Sequence, residues 1–150
     1  MAQDQPTRSV RLVFTHDGDD VRLVGQLPVE AGGDRLDTSL AARPGHYVEL
    51  RDEHATSLGR TALPQAFPDT VEVFPETPGE PILRVPAGRT GAFTVVVAAP
   101  AAASQVAVVR LDAPPEGGAG LPGAAPGLTA AAPRTTELAS FALLPAGGAA

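Results

Sequence analysis

The feature that most restricts this chain is its rhythm. From residue 8 to 111, short runs of alternating apolar and polar residues are separated by Gly, Pro and acidic turn signals, roughly every 8–12 positions. A strand sends successive side chains to opposite faces, so each such run can bury one side and wet the other. No part of this region sustains the three-and-four spacing of a helix. The expectation is an all-β fold, an antiparallel β-sandwich of about 7–9 strands.

The runs can be read one by one. In RSVRLVFTHDGDDVRLVGQLPVE, Val10, Leu12 and Phe14 share a face, as do Val21, Leu23 and Leu27. Asp17-Gly18 between them is a hairpin signal, because glycine supplies the positive φ of a tight turn. A mixed loop follows, with a short helical turn expected over 36–42. HYVELRD then places Val48 and Leu50 inward and Tyr47 and Glu49 outward, and SLGRTAL returns. Pro64 and Pro68 bracket a loop, since proline cannot donate to a central ladder. TVEVF and ILRV are short strands around ETPGEP. AFTVVVAA and QVAVVRLD read as a last hairpin joined by PAAAS.

Composition narrows the function classes. The net charge is −6, and every basic residue is Arg, because Lys is absent along with Asn and Trp. A GC-rich, bacterial gene would give this usage. Dispersed arginines on an acidic chain with few aromatics argue against nucleic acid as a partner. With no Cys there is neither disulfide nor thiolate. MAQDQPTRSVRL has no apolar signal core, and FTVVVAAPAAAS is short of the ~20 residues of a membrane helix. A soluble cytoplasmic protein is the expectation, with no membrane partner.

Catalytic patterns are weak. His16, His46 and His54 read as surface residues near turns. Ser57 and Ser104 lie in no nucleophile elbow, and zinc, di-iron and dinucleotide spacings are missing. The chain reads as a non-enzyme without a cofactor. One exception concerns Ca²⁺. If the strands alternate up and down, the turns HDGDD, DEH and ETPGE meet at one pole. Asp17, Asp19, Asp20, Asp52 and Glu53 would then be candidate oxygen ligands. Arg11, Arg22, Arg51 and Arg84 take outward positions, where charge discourages edge pairing.

The last two body strands carry apolar residues on both faces. Val96 and Val109 stand outward, with Leu111 beyond them. From 112 to 134 Pro, Gly and Ala take over, as in a flexible linker with a span of about 25–30 Å. TELASFALL then regains strand character, although its phase also suits a short helix. A lone strand needs a host sheet, so residues 135–150 read as a docking segment. Leu138, Phe141, Leu143 and Leu144 would seat on this chain or a neighbour, against Val96 and Val109.

The resulting layout is a lead-in at 1–7, a sandwich at 8–111, a linker at 112–134 and a docking segment at 135–150. YVELRD, SLGRTAL and the pair AFTVVVAAP and QVAVVRL give a cadence that resembles bacterial immunoglobulin-like and fibronectin-III-like domains. That resemblance implies a scaffold presenting binding surfaces. The antibody Cys–Trp–Cys core and tyrosine corner are absent. The expected function is a non-catalytic protein-interaction or structural module of a larger assembly, binding a protein partner or itself. The alternative is a sandwich that binds Ca²⁺ at the acidic pole.

Overall fold

The computed structural model describes residues 8–30, 32–38, 43–113 and 134–145. Strands β1 (Arg8–Asp17) and β2 (Asp20–Val29) form the first hairpin, with Gly18 at φ +58 turning the chain. β1 also pairs with β7 (Thr90–Ala99), which gives one sheet of order β2-β1-β7. β3 (Gly45–Arg51), β4 (Ser57–Ala62), β8 (Gln105–Leu111) and β9 (Thr135–Ala142) form the second, of order β4-β3-β8-β9. β5 (Thr70–Val73) and β6 (Leu83–Pro86) pair only with each other. Every pairing is antiparallel, and no helix occurs among the described residues.

The alternating runs explain the core. Leu12 and Phe14 of β1, Val97 of β7, Val48 and Leu50 of β3, and Val106 and Val108 of β8 are fully buried between the two sheets. Each such side chain contributes about 1.5–3 kcal/mol on burial. An aromatic stack closes the end at Gly18. Phe67, from the 63–69 connection, lies 4.1 Å from His46 and 4.4 Å from His16, ring centre to ring centre, and 5.3 Å from Phe93. Two of the histidines read as surface residues therefore belong to this cap, and only His54 is exposed.

β7 and β8 are not a hairpin. The PAAAS connection turns with Ala103 N donating to Pro100 O (3.0 Å) and carries the chain from one sheet to the other. Their two-faced apolar character has separate causes. β8 is interior, flanked by β3 and β9, and its outward Ala107, Val109 and Leu111 form a small second cluster with Tyr47. β7 ends its sheet, but Asp34 bridges to it: Asp34 N donates to Val96 O (2.9 Å) and Ala98 N to Asp34 O (3.2 Å). Asp37 exchanges both backbone bonds with Arg60 of β4, so 32–38 laces the two sheets together. The helical turn expected over 36–42 begins instead as this bridge, and 39–42 lie outside the described residues.

A β-bulge alters the phase of β2. Val13 faces Gly25 and Phe14 faces Leu23, which leaves Val24 as the extra residue. Before the bulge Val21 and Leu23 point to the core. After it Gln26 and Pro28 oppose the inward Leu12 and Val10, and Leu27, expected inside, is 51% exposed.

β9 joins β8 directly opposite its end, Thr135 facing Leu111, with Asp112 N donating to Arg134 O (2.9 Å). The linker expected between them falls almost wholly on 114–133, outside the described residues, as do 1–7 and 146–150.

Candidate interaction surface

The β5–β6 hairpin stands out as an arm. Its register sets Val71 against Val85 and Val73 against Leu83, four apolar residues on one face. Thr70, Glu72, Arg84 and Pro86 take the other, where Arg84 Nη2 donates to Glu72 Oε1 (3.1 Å). That alternation is the mark of a hairpin with one buried side, yet Val71, Val73 and Leu83 are 44%, 45% and 59% exposed. Phe74 and Ile82, next along each strand, are exposed as well. Ala87 N donates to Asp69 O (2.9 Å) and pins the base. Pro75, Pro78 and Pro81 with Gly79 (φ +97) shape the tip and end the ladder.

A second apolar surface lies where the sheets meet at β2 and β9. Gln26 donates through Nε2 to Ala142 O (2.8 Å) and accepts from Leu144 N (2.9 Å), so one side chain clamps both ends of the contact. Leu23, Val24, Phe141 and Leu144 line a shallow groove of about 360 Å³ there. Val24 and Leu144 are more than half exposed, as is Leu27 further along β2, opposite the exposed Arg11.

The tail residues divide between roles. Leu138 and Phe141 are partly buried against the main core, and Leu143 is buried within it. Their host is the β8 edge and the interior, with Phe14 at 6.2 Å from Phe141. The outward Val96 and Val109 do not receive them. Val96 lies in the other sheet beside Asp34, and Val109 faces Glu137. Leu111 is buried with Val109, and Leu144 emerges at the groove.

The acidic residues do not share a pole. β2 ends at Val29 opposite Ser9, far from Gly18, while β3 starts at Gly45 opposite Leu111 at the Gly18 end and turns into β4 at the other. Asp17, Asp19 and Asp20 lie at the first end, where Asp19 accepts from Arg110 (3.0 Å) and Asp17 and Asp20 pair with Arg89 and Arg22. Asp52 and Glu53 lie at the second. There Asp52 Oδ1 accepts from His54 N and Thr56 N (both 2.9 Å), and the Thr56 and His54 bonds hold its carboxyl below the ordinary range. Among the described residues no group of three or more His, Asp or Glu is placed to hold a metal ion.

A cleft of about 610 Å³ at that second end is lined by Asp52, His54 and Ser104 among others. The three do not make a relay. Ser104 Oγ is buried without a hydrogen-bond partner, while the exposed His54 ring leans on Glu53 at 3.3 Å. On the outward face of the second sheet, Glu49 is 4% exposed between two arginines. It accepts from Arg51 Nε (2.7 Å) and from Arg60, and Arg51 goes on to Glu137 of β9. Burial pushes the Glu49 pKa up, but the two guanidiniums outweigh it and hold the carboxyl below its usual value.

The sequence marks β5 and β6 as strands but not as an arm. The usable signal was two four-residue strands on either side of a tip holding three prolines. No family model, curated protein or solved structure matches the chain.

Proposed function

We propose that this protein is a non-catalytic interaction or structural module, a component of a larger assembly, with the β5–β6 arm as its contact element. The observation that carries this reading is an amphipathic hairpin whose apolar face is left open to solvent. An isolated two-stranded hairpin is marginal in water, and contiguous exposed apolar surface usually marks an interaction site. We read the scaffold as an immunoglobulin-like or fibronectin-III-like variant. Seven strands in two sheets of three and four support this, as in immunoglobulin constant domains, although there the first two strands lie in the four-stranded sheet and here in the three-stranded one. The departure is at the start: there the first strand is the edge, whereas here β1 is interior and β2 is the edge. The partner is a protein. Replacing Phe74 by the photo-crosslinking residue benzoylphenylalanine in the full chain, in its native host, tests the reading. A defined cross-linked species is expected, and irradiated protein that gives none overturns it.

A further inference from the structure

Among the described residues, the large apolar side chains that remain exposed fall on two patches. The first is the arm, with Val71, Val73, Phe74, Ile82 and Leu83. The second is the β2/β9 seam, with Val24, Leu27 and Leu144. One protrudes and the other is recessed beside two strands that each have a partner on one side only.

The two patches sit on different elements of the sandwich. The arm leaves the sandwich at the Gly18 end, where β7 starts with Thr90 opposite Asp17. The seam lies toward the far end, where Ala142 faces Gln105. In its own chain the arm does not pack on β2 or β9.

We infer that the arm of one copy docks on the β2/β9 seam of a second copy of this chain. The inference rests on the reading of the arm as a contact element and adds the identity and position of its partner. Three observations favour this occupant. The seam demands the burial of no charge, since residues 23–27 and 141–144 carry no ionisable group; on the arm Glu72 and Arg84 neutralise each other, and the tip residues Glu76 and Glu80, which have no ion pair among the described residues, must keep their contact with water. The seam offers a strand edge at β2, and a hairpin laid along an edge gains main-chain hydrogen bonds as well as apolar burial. Covering both patches removes on the order of 1,000 Å² from water, near the lower limit for a specific interface, so the contact forms with rising concentration.

Because the two surfaces differ, two copies either exchange arms about a two-fold axis and close as a dimer, or pair head to tail and continue into rings or chains.

The test uses the full chain and sedimentation velocity across a hundredfold concentration range. An arm variant carries Val73→Asp and Leu83→Asp, and a seam variant carries Leu27→Asp and Leu144→Asp. All four positions are exposed, and unchanged circular dichroism verifies the fold. The wild type is expected to associate into dimers or larger species as concentration rises, and each variant alone to stay monomeric. An equimolar mixture of the two should form pairs and nothing larger, since one partner offers only a seam and the other only an arm. A wild type that is monomeric throughout overturns the inference, as does a dimer indifferent to the seam variant or a mixture that stays monomeric. Phe74 cross-links separate the two levels of the argument. A link to the seam peptide of a second copy supports the docking. A link to a different protein, with the wild type monomeric, removes the second copy and keeps the arm as contact element. No link of any kind removes both.

Discussion

Glu49 concentrates more electrostatic consequence than any other described residue. Its carboxylate is buried, accepts from Arg51 and Arg60, and through Arg51 is tied to Glu137 on β9. Replacing it with Ala leaves two half-buried guanidiniums facing each other. Removing one partner of such a network is expected to cost about 2–3 kcal/mol in urea unfolding at pH 7. The pH dependence has a definite sign. The folded Glu49 pKa lies below its unfolded value, so the stabilisation is complete above that value, 4.5, and is lost as pH falls through the folded pKa. The Glu49→Ala deficit should therefore shrink at pH 3, and a deficit that persists undiminished would remove the charge argument. His46 acts in a higher window. Burial lowers its pKa, Arg110 adds to this, and Asp19 and Asp69 oppose it. A lowered histidine pKa also means stability lost on acidification, here beginning near 6.5. Acid unfolding should show an early decline as pH falls below about 6.5 that His46→Gln abolishes. Gly91 is fixed by contact. A Cβ there would lie 2.6 Å from His16 Nε2, and the ring is held between Phe67 and Phe93. Gly91→Ala should destabilise by about 1–3 kcal/mol, the usual cost of overpacking.

At the scale of elements, β9 does the most for its length. It covers the β8 edge, sends Leu138, Phe141 and Leu143 to the core, and is clamped by Gln26. Ending the chain after Arg134 exposes the edge of β8 and opens the space beside Phe14. The truncated protein should lose several kcal/mol in urea unfolding and bind a hydrophobic dye, since Phe and Leu truncations in cores each cost about 2–5 kcal/mol. An unchanged unfolding midpoint would make β9 an ornament. The strand character of this segment was legible only as a return of large apolar residues after a stretch without them; Leu138 and Phe141, three apart, reach the same core because a bulge between Val108 and Val109 leaves Leu138 as the extra residue. Its seat was not. Alternation names a face to be buried but carries no address, and the edge of β8 suits it because the central strand there would otherwise end the sheet. The β2 bulge shows the converse failure. Period-two reading assigned Leu27 to the core, and one inserted residue, Val24, reversed the phase for the rest of the strand. Nothing local in LVGQL announces that reversal, apart from a glycine at which strands commonly bulge.

Over the whole molecule, the all-β class was open to reading because every strand carries its own turn signals, whereas pole and partner depend on connections. Between β2 and β3 the sequence looks like a simple loop, but β2 ends at one end of the sandwich and β3 begins at the other, which separates Asp17, Asp19 and Asp20 from Asp52 and Glu53. The arm follows the same logic. TVEVF and ILRV have the alternation of sheet strands, and only the tertiary arrangement leaves their apolar face uncovered. If the arm serves contact and not folding, the sandwich should be independent of it. The geometry makes that testable by excision. Asp69 and Ala87 are joined by a backbone hydrogen bond at the base, so the chain can be closed there by a two-residue Asn-Gly turn in place of residues 70–86. The excised protein loses no residue of the main core cluster. Its thermal midpoint should match the parent within a few degrees, or rise, because an exposed apolar hairpin adds ordering entropy without burial. Its far-ultraviolet spectrum should retain the sandwich signal. Its sedimentation should be that of a monomer at every concentration. A collapse of the midpoint on excision would show that the arm is part of the folding unit, and its exposed valines and leucines would then need another reason.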